Sequence, residues 1–141
     1  VSKPEVVERL MAFVWPDQDA RVARISAAIA LAQANQPPIT KADAADWLED
    51  RLPQPQSKGV IRIVYHSIVL QYVTPEGRAR IGAAMQQAGA SATKERPLAW
   101  LSYECPSVAP TAELRLTLWP DGENRLLGQA HPHGAVIDWV G

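Results

Sequence analysis

Residues 59–73 read GVIRIVYHSIVLQYV, and this stretch decides the fold. Its first part is a short apolar run, rich in β-branched residues, which follows a segment of proline and glycine breakers. A run of this length and composition predicts a strand over residues 60–66 that is buried on both faces. The strand ends in polar residues, at His66 and Ser67.

A helix signal follows the strand directly. Thr74 is suited to the N-cap, a proline occupies the first helical position, and Glu76 lies in the first turn. The spacing predicts a helix over about residues 75–88 with an apolar inner face that includes Met85, and Gly89 is the expected left-handed cap. Strand, polar tip and helix form the unit in which ligands bind beyond the carboxyl ends of strands. The strand end is therefore the first candidate site.

Composition limits the possible classes of protein. The chain has 141 residues, 47% hydrophobic and 21% charged, which is typical of a soluble globular domain or part of one. With a net charge of -1 and scattered basic residues, it lacks the electrostatic footprint of a nucleic-acid or membrane-surface protein. No apolar run is long enough for a membrane span, and the N-terminus lacks a signal-peptide layout. The single Cys105 fits a reducing cytoplasm, so we expect a cytoplasmic location.

The remaining elements predict an α/β architecture. The second strand is parallel to the first because a helix separates them, and the later strands alternate as an antiparallel meander does. Asp43 and Thr40 are both possible caps of the third helix. The further predicted elements are helices over about residues 4–14, 17–34 and 43–52, and strands over 98–103, 112–119, 124–131 and 135–140.

This order of elements, with an acidic Asp43, the segment SIVLQYV and a Thr-Pro helix, resembles the C-terminal part of a class I S-adenosylmethionine-dependent methyltransferase domain, a Rossmann-like fold. The resemblance implies that Asp43, Ser67 and Gln71 bind the cofactor, with Asp43 near the adenine. It also implies that His66 and Tyr72 lie near the methyl group or its acceptor, as catalytic residues.

The chain departs from the methyltransferase pattern in two places. It has no glycine-rich loop after a first strand and no acidic residue for the ribose hydroxyls, and there is no room for a helix between Tyr103 and Ala112. The first residue is Val1. We therefore expect that residues 1–141 form a single domain that is the C-terminal part of a longer one. We expect no activity and no bound cofactor in this part alone.

A second resemblance covers nearly the whole chain. It is carried by the segments WPDQ at residues 15–18, YHS at 65–67, PLAWL at 97–101, LTLWP at 116–120 and HPHG at 131–134. These segments are similar to an uncharacterised bacterial family, domain of unknown function 2332. The resemblance implies no assigned reaction.

The predicted topology brings several chemically active side chains to one edge of the sheet. His66, Glu104 and His131 all lie at strand ends on that edge. His131 and His133 with Glu104 or His66 are suitable zinc or iron ligands, but the spacing is a weak signal and no metal is favoured. His66 is a possible general base, because imidazole changes charge near neutral pH, or a histidine that simply bonds backbone at a strand end.

Three functions remain open from the sequence. The first is methyl transfer in the intact protein, and the second is a non-catalytic binding or assembly domain with a decayed cofactor pocket. The third is metal-dependent hydrolysis at His66, Glu104 and His131. An uncovered sheet edge beside the strand at 60–66 would seek a partner, so we also expect a homo-oligomer that pairs through that edge. The substrate is not indicated by these residues.

Overall fold

The computed structural model describes residues 1–106 and 111–140, which form two compact units, Val1–Lys41 and Ala42–Gly141. The interpretation of the chain as one domain stays a prediction. In the first unit, α1 spans Pro4–Met11 and α2 spans Asp19–Ala34, so both helices are shorter at the connecting turn than predicted. Side-chain amides near the end of this unit donate to the oxygens of Val1 and Ser2.

The second unit is a mixed α/β structure with a five-stranded open sheet. The sheet order follows the chain, with β1 parallel to β2 and all later pairs antiparallel, as the predicted parallel pair and meander require. The finer assignment to a Rossmann-like methyltransferase fold stays a prediction. The elements are α3 (Ala44–Arg51), β1 (Arg62–Ser67), a 3₁₀ turn (Leu70–Tyr72), α4 (Pro75–Ala90), β2 (Leu98–Glu104), β3 (Ala112–Trp119), β4 (Glu123–Ala130) and β5 (Ile137–Trp139).

Both helices of this unit pack on one face of the sheet. The core joins side chains of α3 and α4 to the strand residues Leu98 and Trp119, with Val64 and Trp100 at its border. Met85 is completely buried at its centre. The buried members of the core are Ala45, Leu48, Leu52, Ile81, Met85, Leu98 and Trp119.

The expected role of Gly89 is wrong. Gly89 does not end α4 in a left-handed conformation but lies inside the helix, where it is buried. A Cβ atom at this position would lie 2.3 Å from Cε2 of the Trp119 ring, so only glycine lets the helix approach the indole this closely. The glycine is required by packing rather than by backbone conformation.

The predicted burial of β1 on both faces is also wrong. Along β1 half-buried and exposed residues alternate, and Ile63 and Tyr65 are 58% and 74% exposed. The reason is position, since β1 is the first strand of the sheet and the helices pack on the opposite face, that of Val64. An apolar surface therefore remains on β1 and its neighbours.

Among the described residues, none of the helices combines the length and the apolar character that crossing a bilayer requires.

Candidate functional site

The site begins with a histidine and a carboxylate on neighbouring parallel strands. His66 is in register with Ser102, and Glu104 lies two residues further on the same face of the sheet. The Nδ1 atom of His66 is 2.7 Å from Oε1 of Glu104. Only 13% of the His66 side chain and 18% of the Glu104 side chain are exposed. The two side chains thus form a hydrogen-bonded pair largely shielded from water.

Glu104 also holds the turn that follows β1. Its Oε1 accepts hydrogen bonds from the backbone N–H groups of Val69, at 3.0 Å, and Leu70, at 3.3 Å. Between them and the strand, Ile68 has a φ of 46°, which is strained for a β-branched residue. The carboxylate therefore fixes both the imidazole and an unfavourable turn. Such backbone strain is often found at binding and catalytic sites.

The hydrogen bond to Glu104 fixes the orientation of the imidazole. In the neutral imidazole that donates its Nδ1 proton to the carboxylate, Nε2 carries the lone pair and is an acceptor. This Nε2 atom is buried and has no hydrogen-bond partner in the described part of the chain, and the same holds for Nε1 of Trp100. The two rings lie close, with centres 5.9 Å apart and planes inclined by 56°.

Two helix N-termini lie toward the same edge of the sheet. Asp43 caps α3 by accepting hydrogen bonds at Oδ1 from Ala45 and Asp46, which decides the cap that the sequence left open. Thr74 caps α4 through a bond from the Gly77 N–H group, as predicted. Oδ2 of Asp43 takes no part in its cap, since both cap bonds go to Oδ1.

The direction of α3 follows from two arginines. Arg62, at the start of β1, donates to the carbonyl oxygens of Leu52 and Gln54, which follow α3, so the helix ends near the beginning of the strand. Arg80, in the second turn of α4, binds Glu49 and Asp46 on α3. The two helices therefore run side by side in the same direction, opposite to β1.

The Arg80 contacts also affect a titrating group. Hydrogen bonds from the Arg80 guanidinium to the carboxylate hold the pKa of Glu49 below its ordinary value. Arg80 is 2.9 Å from Oε1 of Glu49 through its Nε atom and 2.6 Å from Oδ1 of Asp46. The ion pairs are solvent-accessible, so they contribute mainly to the alignment of the helices.

The other predicted site residues lie around the His66–Glu104 pair rather than in it. Ser67 follows His66 in β1 and therefore points to the opposite face of the sheet, where it is exposed. Gln71 and Tyr72 belong to the 3₁₀ turn, and both are exposed, Tyr72 to 80%. These three residues thus lie at the same strand end as the imidazole, and none of the hydrogen bonds of the described residues joins them to it.

His131 and His133 form a turn of their own. The Tyr103 hydroxyl donates to the carbonyl oxygen of His131 at 2.6 Å, which ties this turn to the end of β2. The Nδ1 atom of His131 accepts a bond from the His133 N–H group, and the two rings are 5.4 Å apart. Among the residues that the structure describes, no three His, Cys, Asp or Glu side chains come close enough to hold a metal ion.

A groove of about 670 Å³ lies at the other end of the sheet. It is lined by residues of α3 and α4 and by Arg62 and Leu98, the first residues of β1 and β2. Arg62 is already bonded to backbone carbonyl oxygens there. The groove is therefore at the amino ends of the parallel strands, whereas the His66–Glu104 pair is at their carboxyl ends.

The geometry defines the class as a mixed α/β protein with a polar site at the carboxyl ends of two parallel strands. The sequence model of one family, described as "Uncharacterized protein conserved in bacteria (DUF2332)", matches residues 1–139. The chain belongs to this bacterial family of unknown function. No curated protein and no solved structure matches the chain.

Sequence reasoning missed the features that surround His66. The orientation of the imidazole by Glu104, the strained Ile68 and the contact with Trp100 all depend on neighbours more than 30 residues away or on a local conformation with no sequence signal. The available signal was the parallel pairing of the two strands, which brings His66 and Glu104 to the same edge of the sheet.

Proposed function

We propose that the protein is the C-terminal part of a longer, Rossmann-like methyltransferase domain in which His66 is the general base. The observation that carries the proposal is the hydrogen bond of 2.7 Å between His66 and Glu104 at the carboxyl ends of the parallel strands. Ligands of open α/β sheets bind at this edge. The longer domain is supported by the apolar face of β1, because Ile63 and Tyr65 are the kinds of residue that a complete sheet covers.

The proposed chemistry of His66 follows from its hydrogen bonds. Nδ1 donates to Glu104, so Nε2 can take a proton from the acceptor group of the substrate. The imidazole then carries a positive charge, which the neighbouring carboxylate stabilises. Glu104 is a positioning residue in this scheme, because it fixes the tautomer and the ring but does not touch the substrate.

Three exposed polar groups would hold the cofactor. They are the carboxylate of Asp43, of which Oδ2 takes no part in the cap, and the side chains of Ser67 and Gln71. Bound S-adenosylmethionine would supply an electrophilic methyl group. The adenine side of the cofactor suits this donor set, because a carboxylate oxygen accepts hydrogen bonds from an amino group.

Calorimetric titration of the full-length protein with S-adenosylmethionine tests the proposal. We expect heat of binding, and we expect Asp43→Asn to weaken it, because asparagine keeps the helix cap but removes the charge. Asp50→Asn, an exposed position on the same helix, is the matched control and should leave binding unchanged. Absence of heat at millimolar cofactor would refute methyl transfer.

The role of His66 needs a separate measurement. We expect His66→Gln to lower the rate of methyl transfer about 10²- to 10⁴-fold, the usual contribution of a general base, and to leave the affinity for the cofactor unchanged. Glu104→Gln should lower the rate and should also change the tautomer of His66 as seen by nitrogen NMR. Equal rates in the His66 variant and the parent protein would remove His66 from the mechanism.

A second candidate function is assembly without catalysis, and the uncovered part of the sheet favours it. The outer edge of β1 has no strand beside it in the described sheet, and its exposed face carries Ile63 and Tyr65. Such an edge is a template for pairing with a second copy of the chain. We expect a homodimer that Ile63→Asp weakens and that Ile39→Asp, an exposed position in the first unit, does not. A monomer by light scattering at high concentration would contradict the assembly.

A further inference from the structure

Two buried ring nitrogens beside Glu104 are complementary but do not bond each other. Nε1 of Trp100 is a donor, Nε2 of His66 is an acceptor, and both are shielded from solvent without a partner among the described residues. A buried polar atom without a hydrogen-bond partner destabilises the folded protein, because it has given up its bond to water. The pair therefore calls for a third group that accepts from Trp100 and donates to His66.

We propose that Trp100 and His66 together bind a hydroxyl oxygen, which accepts the Trp100 N–H bond and donates its proton to Nε2 of His66. The two unpaired nitrogens belong to neighbouring rings, whose centres are 5.9 Å apart, on the same face of the sheet. The inference rests on the proposed function, since a substrate hydroxyl at this position is the group from which His66 takes the proton.

The donor and acceptor pattern selects against other groups. A hydroxyl has one proton and two lone pairs, so it can satisfy both nitrogens at once. An ammonium group has no lone pair for the Trp100 N–H group, and a carboxylate has no proton for His66 and would lie near the negative Glu104. The pattern therefore favours a neutral hydroxyl, as in an alcohol or phenol, over an ammonium ion or a carboxylate.

The oxygen can come from two sources, water or a substrate hydroxyl. Buried waters commonly bridge polar groups that the protein leaves unpaired. In both cases the site and its hydrogen bonds are the same. Water bound there in the free protein would mark the position that a substrate hydroxyl replaces.

NMR on the chain of 141 residues tests both sources. In the free protein we expect a magnetisation-transfer peak between water and the indole N–H of Trp100, and a nitrogen shift of His66 Nε2 typical of a hydrogen-bonded acceptor. We then expect benzyl alcohol to shift both signals and benzylamine, matched in shape, to leave them unchanged. The control is Trp47→Phe, a partly exposed indole, which should not alter the His66 signals.

Each result decides one point. The water contact together with the response to benzyl alcohol supports a substrate hydroxyl, and the water contact without that response assigns the site to water and refutes the substrate class. The absence of both signals overturns the inference. Both signals are measured on the unmodified protein, so the test does not depend on a variant that folds. Trp100→Phe should abolish the contact where it folds. If calorimetry shows binding of the cofactor and NMR shows neither signal, methyl transfer remains supported, and the acceptor group of the substrate binds at another position.

Discussion

Replacement of Gly89 by alanine should destabilise the protein although it removes a glycine from a helix. The added Cβ atom would lie 2.3 Å from Cε2, 2.4 Å from Nε1 and 2.6 Å from Cδ1 of Trp119. Carbon atoms in ordinary contact are about 3.5–4.0 Å apart, so the distance to Cε2 is too short by more than about 1 Å. The indole is rigid and only 5% exposed, so it has little room to move.

The magnitude follows from two opposing effects. Alanine is better than glycine inside a helix by about 1 kcal/mol, whereas overpacking of a core costs about 1–3 kcal/mol. With a clash against backbone-anchored aromatic atoms we take the upper value, so Gly89→Ala should lower the free energy of unfolding by about 2 kcal/mol. Gly82→Ala is the matched control, because Gly82 lies in the same helix and a Cβ atom there would meet nothing within 4 Å. It should raise stability by about 0.5–1 kcal/mol.

Urea denaturation followed by circular dichroism measures both changes as shifts of the midpoint. The double variant Gly89→Ala with Trp119→Phe identifies the cause, because phenylalanine has no Nε1 atom and its ring is smaller than the indole that the added Cβ atom meets. The penalty of the alanine should shrink in that background, with a coupling energy of about 1 kcal/mol or more. If Gly89→Ala proves as stable as Gly82→Ala, the close approach of α4 to Trp119 is refuted.

Three further changes test other parts of the fold. Asp43→Ala should cost about 1 kcal/mol of stability in urea denaturation and Asp43→Asn much less, since asparagine also caps. Met85→Ala should cost about 2–5 kcal/mol by the same assay, because it opens a cavity at a completely buried position. Arg80→Gln should raise the pKa of Glu49 toward its ordinary value, measured by carboxyl NMR titration. A carboxylate whose pKa is lower in the folded than in the unfolded protein stabilises the fold above the unfolded pKa, and this stabilisation is lost as the pH falls through the folded pKa. The variant lacks this contribution, so it should lose less stability than the parent protein on acidification below about pH 4.5.

Local signals predicted the elements of this chain well. The Thr74 cap with its following proline gave the start of α4, and alternation of leucines gave β3, because both depend on neighbours in sequence. The errors involve distant contacts. Gly89 was assigned to a helix end by its type, whereas its position is set by Trp119, 30 residues further along the chain.

The burial of β1 illustrates a different limit of sequence reasoning. Its composition describes how much apolar surface the strand carries, not which other element covers it. In the structure the helices cover the Val64 face, and the Ile63 face is exposed. Composition thus predicted the strand correctly, but it predicted burial of two faces where only the Val64 face is covered.

The candidate site depends on one quantity that composition does not contain, the register of β1 against β2. With His66 opposite Ser102, both Trp100 and Glu104 lie two residues from the opposing position and share its face. A slip of one residue would turn Trp100 and Glu104 away from the imidazole together. At the other end of β2, Leu98 lies in the core, and its burial favours this register. His66, Glu104 and Trp100 therefore form one unit, and a variant that shifts the strands should disrupt the His66–Glu104 bond and the His66–Trp100 contact at once.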